Sequence, residues 1–188
     1  ITAFEVSPDN LLYRATVDGL LIDANDALVA YPAGKTDIDL TGIETISANM
    51  FAGTSLTNIV VPKTVKAIGE YAFAYSKHLQ KVSFEEGSQL TSIGQYAFTE
   101  TSALDTVDLA NATKLQSISA YTFFGSGIKS VVIPATITQI GQYAFNQCKS
   151  LTSATIKGAV KLGVDVFLNC SALETAVFEK PLETIESD

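Results

Sequence analysis

Charge is scarce in this 188-residue chain, and basic charge scarcer still. Charged residues make up 17% of it, Arg14 is the sole arginine, and the net charge is -8. Displacing counterions from phosphates takes clustered Arg and Lys, so the composition argues against nucleic acid as a partner. Long apolar runs are missing too. No stretch approaches the roughly 18–20 residues that cross a bilayer as a helix, so no transmembrane segment is expected. Histidine is down to His78, beside Lys77, with no second imidazole and no cysteine pair at zinc-ligand spacing. No metal site is therefore predicted, and His78 reads as a solvated loop residue. The pair Glu85-Glu86 next to Gly87 reads as solvated charge, because a general acid needs burial to raise its pKa. Gly-rich phosphate loops, nucleophile elbows and Ser/His/Asp sets are absent. These gaps predict a protein that is not an enzyme and holds no cofactor.

What the chain has instead is 47% hydrophobic residues, ample for a core, and a repeat. Ile68 to Phe73 reads Ile-Gly-Glu-Tyr-Ala-Phe, and close copies return at Ile93 to Phe98, Ile118 to Phe123 and Ile140 to Phe145. Weaker copies at Ile46 to Phe51 and Leu162 to Phe167 flank them, so the phenylalanines are spaced by 22, 25, 25, 22 and 22 residues. A period in that range belongs to a solenoid, whose units are too small to bury an apolar face alone and must stack. After each phenylalanine comes an alternating triplet such as Leu79, Val82 and Phe84, which predicts a strand. Pairs such as Leu90 and Ile93 predict a second, shorter strand before a Gly bend, and Tyr-Ala-Phe is expected on a short helical or 3₁₀ turn. The expected fold is thus a mainly β, right-handed coil of about six units over residues 41–181. The longer second and third units place their excess at Glu85 to Gln89 and Ala110 to Lys114, loops expected to protrude side by side.

Residues 1–40 do not follow the repeat. Phe4 and Val6, Leu11 to Tyr13 and Leu28 to Tyr31 read as strands, with Asp18-Gly19 as a hairpin turn between Ala15 to Val17 and Leu20 to Ile22. A β-rich N-terminal cap over the first core layer is the expectation. At the other end, residues 182–188 restart the grammar with Leu182 and Ile185 but stop before a phenylalanine. That predicts a chain cut from a longer protein, or one without its own cap. The start at Ile1, with no initiator Met and no signal peptide, predicts a mature or trimmed chain, although a removed signal leaves no trace.

Cys148 and Cys170 each follow a repeat phenylalanine by three positions, in the slot that Ser76, Thr101 and Ser126 fill in earlier units. Stacked coils bring equivalent Cα atoms to about 4.8 Å, within a disulfide's range. Parallel Cβ vectors nonetheless favour two free, buried thiols, and a bridge stays open as the alternative.

The motif Ile-Gly-x-x-Ala-Phe followed by Leu-x-x-Val-x-Ile-Pro resembles the BspA-like leucine-rich repeat family. It is carried by Ile68-Gly69 with Ala72-Phe73, Ile93-Gly94 with Ala97-Phe98 and Ile140-Gly141 with Ala144-Phe145, and by Ile59 to Pro62 and Val131 to Pro134. Residues 43–181 carry the match, and Phe4, Val6, Asn10, Tyr13, Asp18-Gly19 and Tyr31-Pro32 look like the end unit common in that family. Departures are Ser47 and Met50 in the first unit, Ser119 and Thr122 in the fourth, and Val166 in the sixth. The resemblance implies a bacterial cell-surface or secreted protein that adheres to host matrix or serum proteins, or to other bacteria.

Two surfaces are candidates for contact. Two residues before four consecutive phenylalanines stand Tyr71, Tyr96, Tyr121 and Tyr143, a row expected at the rim, where tyrosine offers large rigid area and a polar tip. The same row can also exist only to shield the coil edge. The second surface is the outward side of the strands, with Lys81 in the row Asn58, Lys81, Thr106, Ser130, Ser153 and Thr175. Asp108 lies in the next row, with Val60, Ser83, Val132, Thr155 and Val177. Phe124 is expected as an exposed apolar contact that fits either surface. The expected function is a macromolecule-binding module, with a structural spacer and a glycan binder as the alternatives.

Overall fold

The computed structural model describes residues 3–16, 19–24, 28–32, 34, 36 and 38–186. The repeat phenylalanines form a single column. From Phe51 through Phe73, Phe98, Phe123 and Phe145 to Phe167 the stacked ring centroids are 5.1, 5.1, 5.4, 5.2 and 5.6 Å apart. The first five are fully buried. Stacked aromatic pairs contribute about 0.5–1.5 kcal/mol each beyond the burial of their area, so this column ties each coil to the next.

Before the coils comes an antiparallel sheet of β1 (Tyr13–Ala15), β2 (Leu21–Asp23) and β3 (Leu28–Ala30). Ala15 pairs with Leu21; of the expected hairpin turn, Val17 and Asp18 lie outside the described residues. Phe4 and Val6 are not in a strand, although the Phe4 N–H donates to Gly19 O at 2.9 Å. Leu20, Ile22 and Leu28 are buried, and Tyr31 sets its ring edge-on against Phe51 at 5.1 Å.

Each coil adds a two-residue inner strand and a longer outer one. Coil one gives β4 (Thr45–Ile46) and β5 (Asn58–Val61), coil two β6 (Ala67–Ile68) and β7 (Lys81–Phe84), and coil three β8 (Ser92–Ile93) and β9 (Thr106–Asp108). Coil four gives β10 (Ser117–Ile118) and β11 (Ser130–Ile133), and coil five β12 (Gln139–Ile140) and β13 (Ser153–Ile156). Coil six gives β14 (Lys161–Leu162) and β15 (Thr175–Phe178), and β16 (Thr184–Ile185) follows. Coils one to three pair in parallel and in register, so that Ile46, Ile68 and Ile93 form one inner ladder and Ile59, Val82 and Val107 one outer ladder, and coils four to six pair likewise. Alternate residues face the core, as the period of two requires.

Where a helical or 3₁₀ turn is expected, the chain makes successive β-turns, and the described residues contain no helix. The reason is an alternation of donors. Ala72, Ala74 and Ser76 N–H groups bond back within the turn to Gly69, Tyr71 and Phe73 carbonyls. Those of Tyr71, Phe73 and Tyr75 instead reach forward to Gln95, Ala97 and Thr99 of the next coil at 3.1, 2.8 and 2.8 Å. A continuous helix would turn every donor inward. The turn edge is therefore a third hydrogen-bonded belt along the stack.

Bend glycines are required by contact between coils. A Cβ on Gly94 would lie 2.6 Å from Glu70 N and 2.7 Å from Gly69 C, and Gly69, Gly141 and Gly163 are confined in the same way. Their N–H groups donate to the preceding Ile carbonyl, as Gly94 does to Ile68 O at 2.8 Å. Ser47 fits because no coil of the series precedes it. At Ser119 the hydroxyl takes over, donating to Ile93 O at 2.5 Å.

That exchange marks a seam. Both ladders are interrupted between coils three and four: β8 does not pair with β10, nor β9 with β11. The outer break has its own cause. Asp108 accepts the Ala110 N–H on its carboxylate at 3.0 Å and turns the chain out of the ladder after three strand residues. In coils two, five and six the residue after the outer strand donates to the coil before, as Lys157 does to Ile133 O. In coil three the Asn111 side chain caps Phe84 O instead. In coil four the position is Pro134, which has no N–H to give. The turn belt crosses the seam unbroken, with Phe98 and Glu100 donating to Thr122 and Phe124 at 2.8 and 2.7 Å.

The two longer loops do lie together, joined by the Lys114 ammonium on Gln89. Ser88 and Ala112 fold inward, so the loops are anchored rather than fully protruding.

Candidate interaction surface

The slot two residues before each phenylalanine has backbone geometry that the sequence reading missed. Asn49, Tyr71, Tyr96, Tyr121, Tyr143 and Asp165 all sit at φ between 53 and 58°. A left-handed conformation suits Asn and Asp; for a bulky side chain it costs roughly 1–2 kcal/mol. A second left-handed slot lies two residues after the phenylalanine, at Gly53, Tyr75, Glu100, Gly125, Gln147 and Asn169. The signal was present in Asn49, Asp165 and Asn169 and in Gly53 and Gly125, residue types that tolerate positive φ, at equivalent places in the repeat.

This backbone aims the four tyrosines to one side in a half-buried row. Their rings stack at 4.7 Å (Tyr71–Tyr96), 4.7 Å (Tyr96–Tyr121) and 4.9 Å (Tyr121–Tyr143), with interplanar angles of 1, 12 and 22°. Phe124, expected to be exposed, is half-buried instead, because its ring tilts onto Tyr121 at 5.9 Å and 53°. With ring faces against ring faces, the row offers outward mainly edges and phenol hydroxyls. Partial burial, and after it the charges of neighbouring phenols and Glu70, holds the Tyr71 and Tyr96 phenols above the usual tyrosine range.

Raised phenol pKa values make the neutral form the one the fold prefers. The resulting stability is fully present below the unfolded tyrosine pKa of about 10 and is lost as pH rises through the folded value. Urea melts taken between about pH 9 and about pH 11 should show the wild type losing more stability than a Tyr71→Asn/Tyr96→Asn variant. Equal losses would remove this role from the row.

On the outer strands the expected rows exist in register, but the seam splits each in two. Asn58, Lys81 and Thr106 form one group and Ser130, Ser153 and Thr175 the other; likewise Val60, Ser83 and Asp108 part from Val132, Thr155 and Val177. Lys81 and Asp108 thus lie on the coil-three side of the break. His78, Glu85 and Glu86 are exposed, and the described residues hold no group of three or more potential metal ligands.

The cysteines are free and buried. Cys148 and Cys170 each point a thiol at a phenylalanine carbonyl one coil earlier, Phe123 O at 3.1 Å and Phe145 O at 3.0 Å, as the Ser76 hydroxyl does to Phe51 O at 2.7 Å. The two S–H groups therefore point the same way along the stack rather than at each other. The neighbouring Cys170 thiol, together with burial, keeps Cys148 protonated far above the ordinary thiol range.

The profile of the BspA-type leucine-rich repeat region matches the chain in six copies, over residues 44–114 and 87–188. Among solved structures, a leucine-rich repeat protein of T. pallidum is similar at 25% identity and a TM-score of 0.65, with 95% of this chain and 85% of that one covered. The pneumococcal vaccine antigen PcpA shares the fold at 23% identity and a TM-score of 0.61, over 99% of this chain and 40% of that one. No protein among the curated sequences matches the chain.

Proposed function

The chain belongs to the BspA-type leucine-rich repeat family, and from that premise we propose that it is a non-catalytic interaction module, displayed outside a bacterial cell, which binds a host or bacterial protein along its tyrosine edge. One observation carries the reading: four consecutive coils keep tyrosine in a left-handed slot that Asn or Asp fills without the same strain elsewhere in the repeat. Strain retained at a surface row argues for a use of that row beyond packing. Residues 1–40 serve in this reading as the end-piece that closes the first core layer.

The stacking also favours a protein over a glycan as the partner. Sugars dock on open aromatic faces, whereas the inner faces of this row are covered by neighbouring rings less than 5 Å away. Edges and hydroxyls suit the hydrogen-bonding, shape-fitted contact of a protein interface.

The test is a Tyr96→Asn/Tyr121→Asn variant, which removes two rings while leaving a residue the slot accepts at Asn49. The wild type should capture a protein from immobilised host-matrix and serum pools, and the folded variant should bind it about tenfold more weakly or worse. Undiminished capture by the variant would discard the tyrosine edge. Signal confined to a glycan array would favour the sugar reading, and no capture by the wild type would favour a spacer.

A further inference from the structure

Charge on the tyrosine edge has one sign. The turn segments 47–54, 69–76, 94–101, 119–126, 141–148 and 163–170 hold three charged residues, Glu70, Glu100 and Asp165, and none of the chain's 12 Lys and Arg residues. Away from this edge the coils match charge with charge. Lys66 meets Glu44 at 2.7 Å and Lys129 meets Asp105 at 3.2 Å, each pair spanning adjacent coils. The three carboxylates of the turn edge have no ion-pair partner among the described residues, although Lys77 and Lys149 follow just beyond the turns.

Glu70 stands beside the flattest part of the row. Tyr71 and Tyr96 stack at 4.7 Å with an interplanar angle of 1°, and after partial burial and the neighbouring phenols, the Glu70 charge helps to keep both hydroxyls protonated. One carboxylate and two phenol oxygens thus lie close together as hydrogen-bond acceptors. The Glu100 carboxylate extends along the stack over Gly125 of coil four, which has no side chain to cover it. There it lines a hollow of about 220 Å³ with Ser102, Gln147 and Lys149. Ring edges carry the positive side of the aromatic quadrupole, so a cation seated on this edge meets oxygen rather than ring. Arginine suits that set better than lysine, because its planar five-donor fork can reach a carboxylate and a phenol oxygen at once.

We propose that the tyrosine edge takes a basic partner, an arginine-bearing protein surface that sets one guanidinium against Glu70 and the Tyr71 and Tyr96 hydroxyls and a second against Glu100. This rests on the protein-binding reading above and supplies the charge of its partner. Complementary potential of that kind speeds encounter and turns acidic surfaces away.

The probe is an acetylated, amidated peptide Gly-Arg-Gly-Arg-Gly, titrated at low salt into the isotope-labelled chain and followed by amide chemical shifts. Saturable shifts should centre on Glu70, Tyr71, Tyr96 and Glu100. A Glu70→Gln/Glu100→Gln variant should bind at least about fivefold more weakly. Glu44→Gln/Asp105→Asn removes the same two charges from carboxylates that already have lysine partners, and should bind like the wild type. The peptide with Lys for Arg should bind more weakly, and the one with Glu for Arg should give no such shifts. The proposal is overturned if the arginine peptide gives no saturable shifts, if the Glu70/Glu100 variant binds it like the wild type, if the control variant loses as much, or if the lysine or acidic peptide binds equally well. Failure of the tyrosine reading shows instead in protein capture by the Tyr96→Asn/Tyr121→Asn variant, so the two failures are told apart.

Discussion

Phe98→Ala will destabilise the chain by about 3–5 kcal/mol, the range for deleting a fully buried aromatic ring. The estimate stays at the upper end because the site cannot collapse. Phe98 has a ring above and a ring below, Phe73 at 5.1 Å and Phe123 at 5.4 Å, and its coil is tied to both neighbours by backbone hydrogen bonds that fix the spacing. A chain of this length loses roughly 2–4 °C of melting temperature per kcal/mol, so a fall on the order of 10 °C is expected in a thermal melt followed by circular dichroism. Phe167→Ala is the comparison. That ring is half-buried and stacks on Phe145 at the widest spacing of the column, 5.6 Å, so its loss should be distinctly smaller. Equal losses would mean that the column is not what holds the coils in place.

The second large effect is at the bend. Gly94→Ala puts a methyl group 2.6 Å from a backbone nitrogen of the preceding coil, which must move away. Overpacking of that kind typically costs about 1–3 kcal/mol, and separating the coils also weakens the Gly94 N–H bond to Ile68 O, worth about 1 kcal/mol. Gly94→Ser should be the milder change, because a hydroxyl there can donate to Ile68 O as Ser119 donates to Ile93 O. The expected order in urea melts is Gly, then Ser, then Ala. If Ser and Ala prove equal, the hydroxyl at Ser119 does not replace the backbone bond.

The coil was legible because its evidence is periodic: Phe51 through Phe167 and the Ile and Val of the strands announce a shared interior by spacing alone. The free thiols followed from the same logic, since one slot in adjacent coils means parallel side chains. What escaped were features set by backbone rather than burial. Tyrosine gives no local hint of a positive φ, and only comparison with Asn49 and Asp165 in the same slot would have exposed it. Nor could spacing show that the outer rows divide after coil three. That depends on the Asp108 carboxylate capturing an N–H two residues on, and on Ser119 and Pro134 one coil later, each of which alone reads as a tolerated variation.

The seam also sets how the molecule yields to force. Between coils three and four the surviving ties are the turn belt, Gly127 N–H on Thr101 O, Lys129 N–H on Asp105 O and the Ser119 hydroxyl on Ile93 O; past Lys129 the outer strands share no ladder. Fewer backbone bonds cross this plane than cross its neighbours, so the stack should bend there more readily than elsewhere. A molecule pulled along its axis should therefore loosen first on the outer-strand face between coils three and four, while the aromatic row, backed by an unbroken hydrogen-bonded belt, keeps its footing.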